Sequence, residues 1–359
     1  ARRHTKIRIR EDGCLEILDP GYDQLPLLRS IDPDFQVKAS ALPGFVSPRF
    51  LETRQTGCGM SPKDLKNCET DRLWKQHEKY MKRIKFAGAG KVKRPEEASL
   101  LELKIELAAK LMEKCRLCGR RCGVNRLGGE KGICGLGARG IVGEHFIHIG
   151  EEPPVNPSAI ISLYGCGLRC RSCQQWDLLS PPAQAEEYLE PALWESLDLK
   201  EAKTLSFIGG NPDESLLPVL LFLASAPENW TLPLIWNCNG YGTVDVVRIL
   251  DGIVDAYVPD FKFGNGTCAD SLASAPNYPA YAVTSISGML LQGVPVIVRI
   301  LVLPGHVACC HRPAIEALAS MNNEWLLMSV RGQYFPDWKI TEADGPLYGR
   351  PGPEEVNAV

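Results

Sequence analysis

From Ala159 onward the chain is a succession of short apolar runs separated by helical stretches, and this alternation limits its fold more than any other feature. Candidate strands are Ala159–Tyr164, Thr204–Ile208, Leu232–Cys238, Val254–Lys262, Val294–Leu303 and Trp325–Val330. Each is rich in Val, Ile or Leu with little alternation, the pattern of parallel strands buried on both faces. Helical stretches fall between them at Glu214–Ala226, Val244–Leu250, Asn277–Gln292 and Arg312–Met321. Six strands alternating with helices predict an α/β fold with a parallel sheet. In such folds ligands meet the carboxyl ends of the strands. Several polar segments fall there: Gly209-Gly210 after the second run, Asn237 to Asn239 closing the third, and Asp260-Phe261-Lys262 closing the fourth.

The loop after the first run holds Cys166, Cys170 and Cys173, spaced C-x3-C-x2-C. Three thiolates so close can hold three irons of a [4Fe–4S] cluster, leaving the fourth iron open to bind and activate a small molecule. That arrangement points to catalysis rather than electron storage. A structural zinc would usually want a fourth protein ligand nearby, although zinc sites with three protein ligands and a water exist. Upstream, Cys115, Cys118, Cys122 and Cys134 form a complete four-ligand set, which suits either a second [4Fe–4S] cluster or a structural zinc. Arg116, Arg120, Arg121 and Arg126 lie among these thiols and would offset their charge.

Composition bounds the setting. The 359 residues are 45% hydrophobic and 23% charged, ordinary for a globular protein. A formal net charge of −3 gives no reason to expect nucleic-acid binding. No apolar run is long enough to span a bilayer. Seven of the fourteen cysteines crowd between Cys115 and Cys173, which favours metal over disulfides and a reducing, cytoplasmic setting.

The organisation expected is an irregular N-terminal extension over 1–95, a helix and four-cysteine module over 96–155, a barrel over 156–345 and a tail over 346–359. The extension has isolated cysteines at Cys14, Cys58 and Cys68. Its basic stretch from Lys75 to Arg94, including Lys85, Lys91 and Lys93, reads as a solvated arm. Its place relative to the barrel mouth is open. Leu100, Leu103, Leu107 and Leu111 share one face of a helix over 97–114 and read as core.

The chain resembles the radical S-adenosylmethionine superfamily, and within it the branch of predicted iron–sulfur oxidoreductases related to pyruvate formate-lyase activating enzymes. The match runs from the upstream cysteines through Gly150-Glu151-Glu152-Pro153-Pro154 and the three-cysteine loop with Gln174. It continues through Gly209-Gly210-Asn211-Pro212, Asn239-Gly240-Tyr241, residues 254–262 and Leu303-Pro304-Gly305-His306. The resemblance implies a partial (βα)6 TIM-like barrel. It implies S-adenosylmethionine chelated to the open iron, cleaved by one electron to a 5′-deoxyadenosyl radical that takes hydrogen from a protein, peptide or small molecule. A reduced flavodoxin- or ferredoxin-type donor is implied as partner. The implied cofactor-binding residues are Gly209, Gly210, Asn211, Asn237, Asn239, Asp260, Lys262 and Arg299. Two positions depart from the family: Ser172 replaces an aromatic residue, and Asn211 replaces a Glu that accepts from the S-adenosylmethionine amino group. The alternative reading is a non-catalytic iron–sulfur electron-transfer or redox-sensing protein.

Other residues carry plainer readings. Arg299, in an apolar strand, should meet a carboxylate from S-adenosylmethionine or a buried Asp. Asp260 and Lys262 face one side and suit either ligand binding or a rim salt bridge. His145 and His148 read as polar residues at a domain junction, Cys309 and Cys310 as structural, and Cys238 as a small buried residue. Cys268 is a loop residue with little to say.

Overall fold

The computed structural model describes residues 7–9, 15–17, 36–84, 86 and 95–359. Cys14, Lys85, Lys91, Lys93 and Arg94 lie outside the described residues. Strands β1 (Ile7–Ile9) and β2 (Leu15–Ile17) form a small antiparallel sheet of their own.

The main sheet contains β3 (Ile141–His148), β4 (Ser158–Leu163), β5 (Glu187–Tyr188), β6 (Thr204–Gly209), β7 (Leu234–Cys238), β8 (Ala256–Pro259), β9 (Val296–Leu301) and β10 (Leu326–Arg331). Its order is β10-β9-β8-β7-β6-β4-β3-β5. The neighbours from β4 to β10 are all parallel, while β3 pairs antiparallel with β4 and β5. The architecture is therefore an open, partial (βα)6 barrel extended at one edge by an antiparallel pair.

Each apolar run expected to be a strand is one, within two residues at most ends. β4 is buried at every position, as a sheet covered on both faces requires. β10 departs from that expectation. It is the free edge, and Leu327, Met328 and Val330 are exposed there. β3 carried no continuous apolar run, because only Val142 and Ile147 are buried among Glu144, His145 and His148.

Two levels of side chains fill the inner face. Val155, Ile235, Ala256, Val258 and Ile297 form an apolar floor, with Leu42 packed against it. Two residues further along each strand, on the same face, stand Asn237, Asp260 and Arg299. A step of two therefore converts floor into site. The outward-facing residues, such as Trp236, Tyr257 and Val298, join the large core beneath the helices.

The stretch expected to be irregular carries helices Arg49–Gln55, Pro62–Lys66 and Thr70–Met81. They are short, and Pro62 serves as a helix start rather than a breaker, with the Ser61 side chain accepting from Asp64 N–H. The helical part of the extension docks at the amino ends of the strands, away from the cysteine loop. Asp255, just before β8, accepts from Arg49 N–H at 3.0 Å and from Leu234 N–H at 2.7 Å. Helix Leu100–Glu113 begins with a capping box between Ser99 and Glu102 and buries its leucine face. It also buries Lys104, whose ammonium donates to Ile249 O at 2.9 Å and Asp251 O at 2.7 Å and lies 2.7 Å from His77 Nε2.

Candidate active site

A cavity of about 310 Å³ opens at the carboxyl ends of the strands. Its wall includes Cys166, Cys170, Cys173, Gly209, Gly210, Asn211, Asn237, Asn239, Asp260, Lys262 and Arg299. All three loop cysteines and the polar strand-end residues expected to bind a cofactor thus meet at one place, while Phe261 turns into the core.

The loop is shaped by glycine at two points. Gly165 has φ +93°, and a Cβ there would lie 2.4 Å from the Leu136 side chain. Gly209 has φ +110°, and a Cβ there would lie 2.3 Å from Leu163 N. Only a residue without a side chain allows the ends of β4 and β6 to approach this closely. Cys166 Sγ accepts from Leu168 N–H and from the Asn239 amide, each at 3.4 Å. Burial raises the Cys166 and Cys170 thiols above their ordinary range and pushes Cys173 up to about 12. As thiolates they need a cation beside them.

Asn211 is held from two sides. Its carbonyl oxygen accepts from Asn239 N–H at 2.9 Å, and its amide donates to Glu214 at 2.5 Å. Glu214 also accepts from Gly167 N–H at 2.7 Å. Burial, with Asp213 adding to it, lifts the Glu214 carboxyl to about 7. Glu214 and Asp213 were not anticipated as site residues, and their only signal was charge at the start of a helix.

Asp260 and Lys262 form an ion pair at 2.6 Å. Tyr278 fixes the backbone around it, its one O–H shared between Asn239 O at 2.8 Å and Asp260 O at 3.0 Å while its oxygen accepts from Lys262 N–H. A tyrosine at a helix start gave no sign of this role.

The carboxylates that meet Arg299 are glutamates, not an aspartate. Its guanidinium donates to Glu152 Oε1 at 2.9 Å and Oε2 at 2.6 Å and also pairs with Glu151. Arg331 reaches Glu152 at 2.7 Å. Burial alone would raise the Glu152 carboxyl, but the two guanidinium groups outweigh it and hold the group at about 2. His148 joins from β3, 3.6 Å from Glu151, and burial lowers its ring below the ordinary value. It lines the cavity. Among the described residues His148 Nδ1 and Gln174 Nε2 find no hydrogen-bond partner and are buried.

The four-cysteine module docks on the loop after β7. Gly119 N–H donates to Tyr241 O at 2.8 Å and Thr243 N–H to Leu117 O at 3.1 Å. The module also meets the three-cysteine loop. Arg120 donates to Gly167 O at 2.6 Å, and a Cβ on Gly167 would lie 2.9 Å from Cys118 Sγ. Of the arginines expected to offset the thiols, Arg126 is fully buried and lowers Cys115 and Cys134 against the larger effect of burial. Arg116 instead faces Asp245, and Arg121 donates to Tyr281.

Fold and site together define a class: an α/β protein whose parallel sheet presents a three-cysteine loop at its carboxyl rim, with a four-cysteine module beside it. The chain is 32% identical over 291 residues to the uncharacterized protein MJ0674 of Methanocaldococcus jannaschii, across 78% of this chain and 83% of that one. It belongs to the same family as that protein. No family model matches. Among solved structures it is similar to Streptococcus suis SuiB bound to S-adenosylmethionine, with TM-score 0.37 and 15% identity over 50% of this chain and 41% of SuiB. It is also similar to anSMEcpe with bound AdoMet, with TM-score 0.37 and 14% identity over 54% and 53% of the two chains. A third is HydG, a maturase of the [FeFe]-hydrogenase, with TM-score 0.38 and 12% identity over 82% of this chain and 61% of HydG. The chain spans about two fifths of the length of SuiB.

Proposed function

We propose that the chain is a radical S-adenosylmethionine enzyme. The observation that carries the reading is the placement of Cys166, Cys170 and Cys173 on the wall of a cavity that strand-end polar residues also line. The residues fit a [4Fe–4S] cluster with an open iron: three thiols on one loop, two N–H donors on Cys166, and buried polar atoms with no partner beside an open space. Bound there with S-adenosylmethionine, the cluster would supply one electron for cleavage of the sulfonium and so a radical that takes a hydrogen atom.

The chain's own residues bind and orient. Gly209 and Gly210 present backbone to the ligand. The Asp260–Lys262 pair offers a positive and a negative group to the methionine end or the ribose. The Arg299–Glu151–Glu152 group, already internally paired, holds the far wall. The Asn211 carbonyl accepts from Asn239 N–H, which positions Asn239 against Cys166, and its second lone pair is left for the ligand's amino group. The substrate is a protein, peptide or small molecule, and the electron donor a reduced flavodoxin or ferredoxin.

We read the upstream four cysteines as the residues that would hold a second [4Fe–4S] cluster, beside the three-cysteine loop that Arg120 and Cys118 meet at Gly167. A tetrahedral zinc would hold its sulfurs about 3.8 Å apart. Among the described residues no three of these thiols lie within 4.8 Å of one another.

One experiment tests both sites. Anaerobically reconstituted, reduced protein given S-adenosylmethionine should release 5′-deoxyadenosine and hold about eight irons per chain. Cys166→Ala should release none and keep about half the iron. Intact protein that never cleaves S-adenosylmethionine ends the enzymatic reading. Zinc in place of the retained iron ends the second-cluster reading alone.

A further inference from the structure

The loops after β8 and β9 bring together a group of soft ligands that the cavity does not use. Cys268 lies in the first turn of helix Gly266–Ala273, its N–H donating to Asn265 Oδ1 at 3.1 Å. His306 precedes a π-helical turn, Val307–His311, that contains Cys309 and Cys310. Such turns widen the helical register and recur at functional sites. The two loops touch through Gly264, where a Cβ would lie 2.3 Å from Cys310 O.

The three groups lie close enough to share one ion. Cys268 Sγ lies 3.9 Å from Cys309 Sγ. One ligating atom from each of Cys268, His306 and Cys309 lies within 4.8 Å of the other two. With Zn–S bonds of about 2.3 Å, tetrahedral zinc sets its sulfurs about 3.8 Å apart, close to the separation seen. A disulfide would need about 2.05 Å. His306 Nδ1 lies 2.9 Å from Pro304 O. Donation there leaves the Nε2 lone pair for a metal, the usual arrangement in which a backbone carbonyl orients a ligand histidine. The three side chains are half-buried, so water reaches a fourth position.

We propose that Cys268, His306 and Cys309 bind a zinc ion that clips the β8 loop to the β9 loop at the rim of the sheet. The clip fixes the cavity wall, because Lys262, Phe263 and Leu303 on the same two loops line it. Binding takes both cysteines as thiolates and the histidine neutral, so about two protons leave per ion.

The test uses full-length protein carrying its reconstituted iron, equilibrated with zinc and then washed. Cys268→Ser/Cys309→Ser and His306→Gln should each lose about one zinc per chain with iron unchanged. Metal at the upstream cysteines is common to parent and variants and drops out of the difference. Backbone amides over 262–268 and 303–311 should exchange faster in the variants. Equal zinc in parent and double variant overturns the proposal. So does a Cys268–Cys309 disulfide in anaerobically purified parent. Zinc-edge X-ray absorption on the parent needs no variant: sulfur with lighter scatterers supports the site, and an all-sulfur shell overturns it.

Discussion

Arg299 reaches the cavity from β9 with Glu151 and Glu152 already bound to it and Arg331 sharing Glu152. Removing a carboxylate from such a group leaves buried positive charge without its partner. The pH dependence has a defined sign. Glu152 is held at about 2 against an ordinary 4.5, so it stabilises the fold fully above pH 4.5, and that contribution is lost as pH falls toward 2. Glu152→Gln should lower stability at neutral pH by about 3 kcal/mol and flatten the acid limb. Urea midpoints measured from neutral pH down to the acid limb check this. An unchanged acid slope would show that Glu152 is not the group responsible. The sequence announced that Arg299 needed a carboxylate, because a lone charge in an apolar strand is costly. It did not say which, because the partners stand 147 and 148 positions away and no local pattern links them.

The parallel strands were readable because burial on both faces writes them as unbroken apolar runs. β3 was not, since its two buried residues are set among polar ones, and neither was β5, which is two residues long. The early helices hid for a related reason: Thr70–Met81 buries only Leu73 and His77, too few for a stripe. Helix Leu100–Glu113, by contrast, declares itself through its leucines. Its start depends on Ser99, whose side chain accepts from Glu102 N–H at 3.1 Å while Glu102 accepts from Ser99 N–H at 2.7 Å. Ser99→Ala should cost about 1 kcal/mol, read as a shift in denaturant midpoint at constant slope. The cysteine spacings stood out for a different reason: chemistry, not packing, sets them. The trio of Cys268, His306 and Cys309 had no such spacing, because two loops assemble it.

At the scale of the whole molecule, the helical part of the N-terminal extension supports the end of the sheet opposite the cysteines. Asp255 ties that support to the strands, and burial pushes its carboxyl up to about 7 even though two backbone N–H groups donate to it. Asp255→Ala should destabilise the protein by about 1–3 kcal/mol, since it strands buried donors. The rate of S-adenosylmethionine cleavage per folded molecule should stay the same. Calorimetry beside the 5′-deoxyadenosine assay separates the two, and a loss of rate without loss of stability would contradict the assignment. The apolar layer of Val155, Ile235, Ala256, Val258 and Ile297 lies two residues below Asn237, Asp260 and Arg299 on the same face. A molecule held by those polar residues has hydrocarbon rather than water beneath it, and each charge it meets there acts more strongly for that reason.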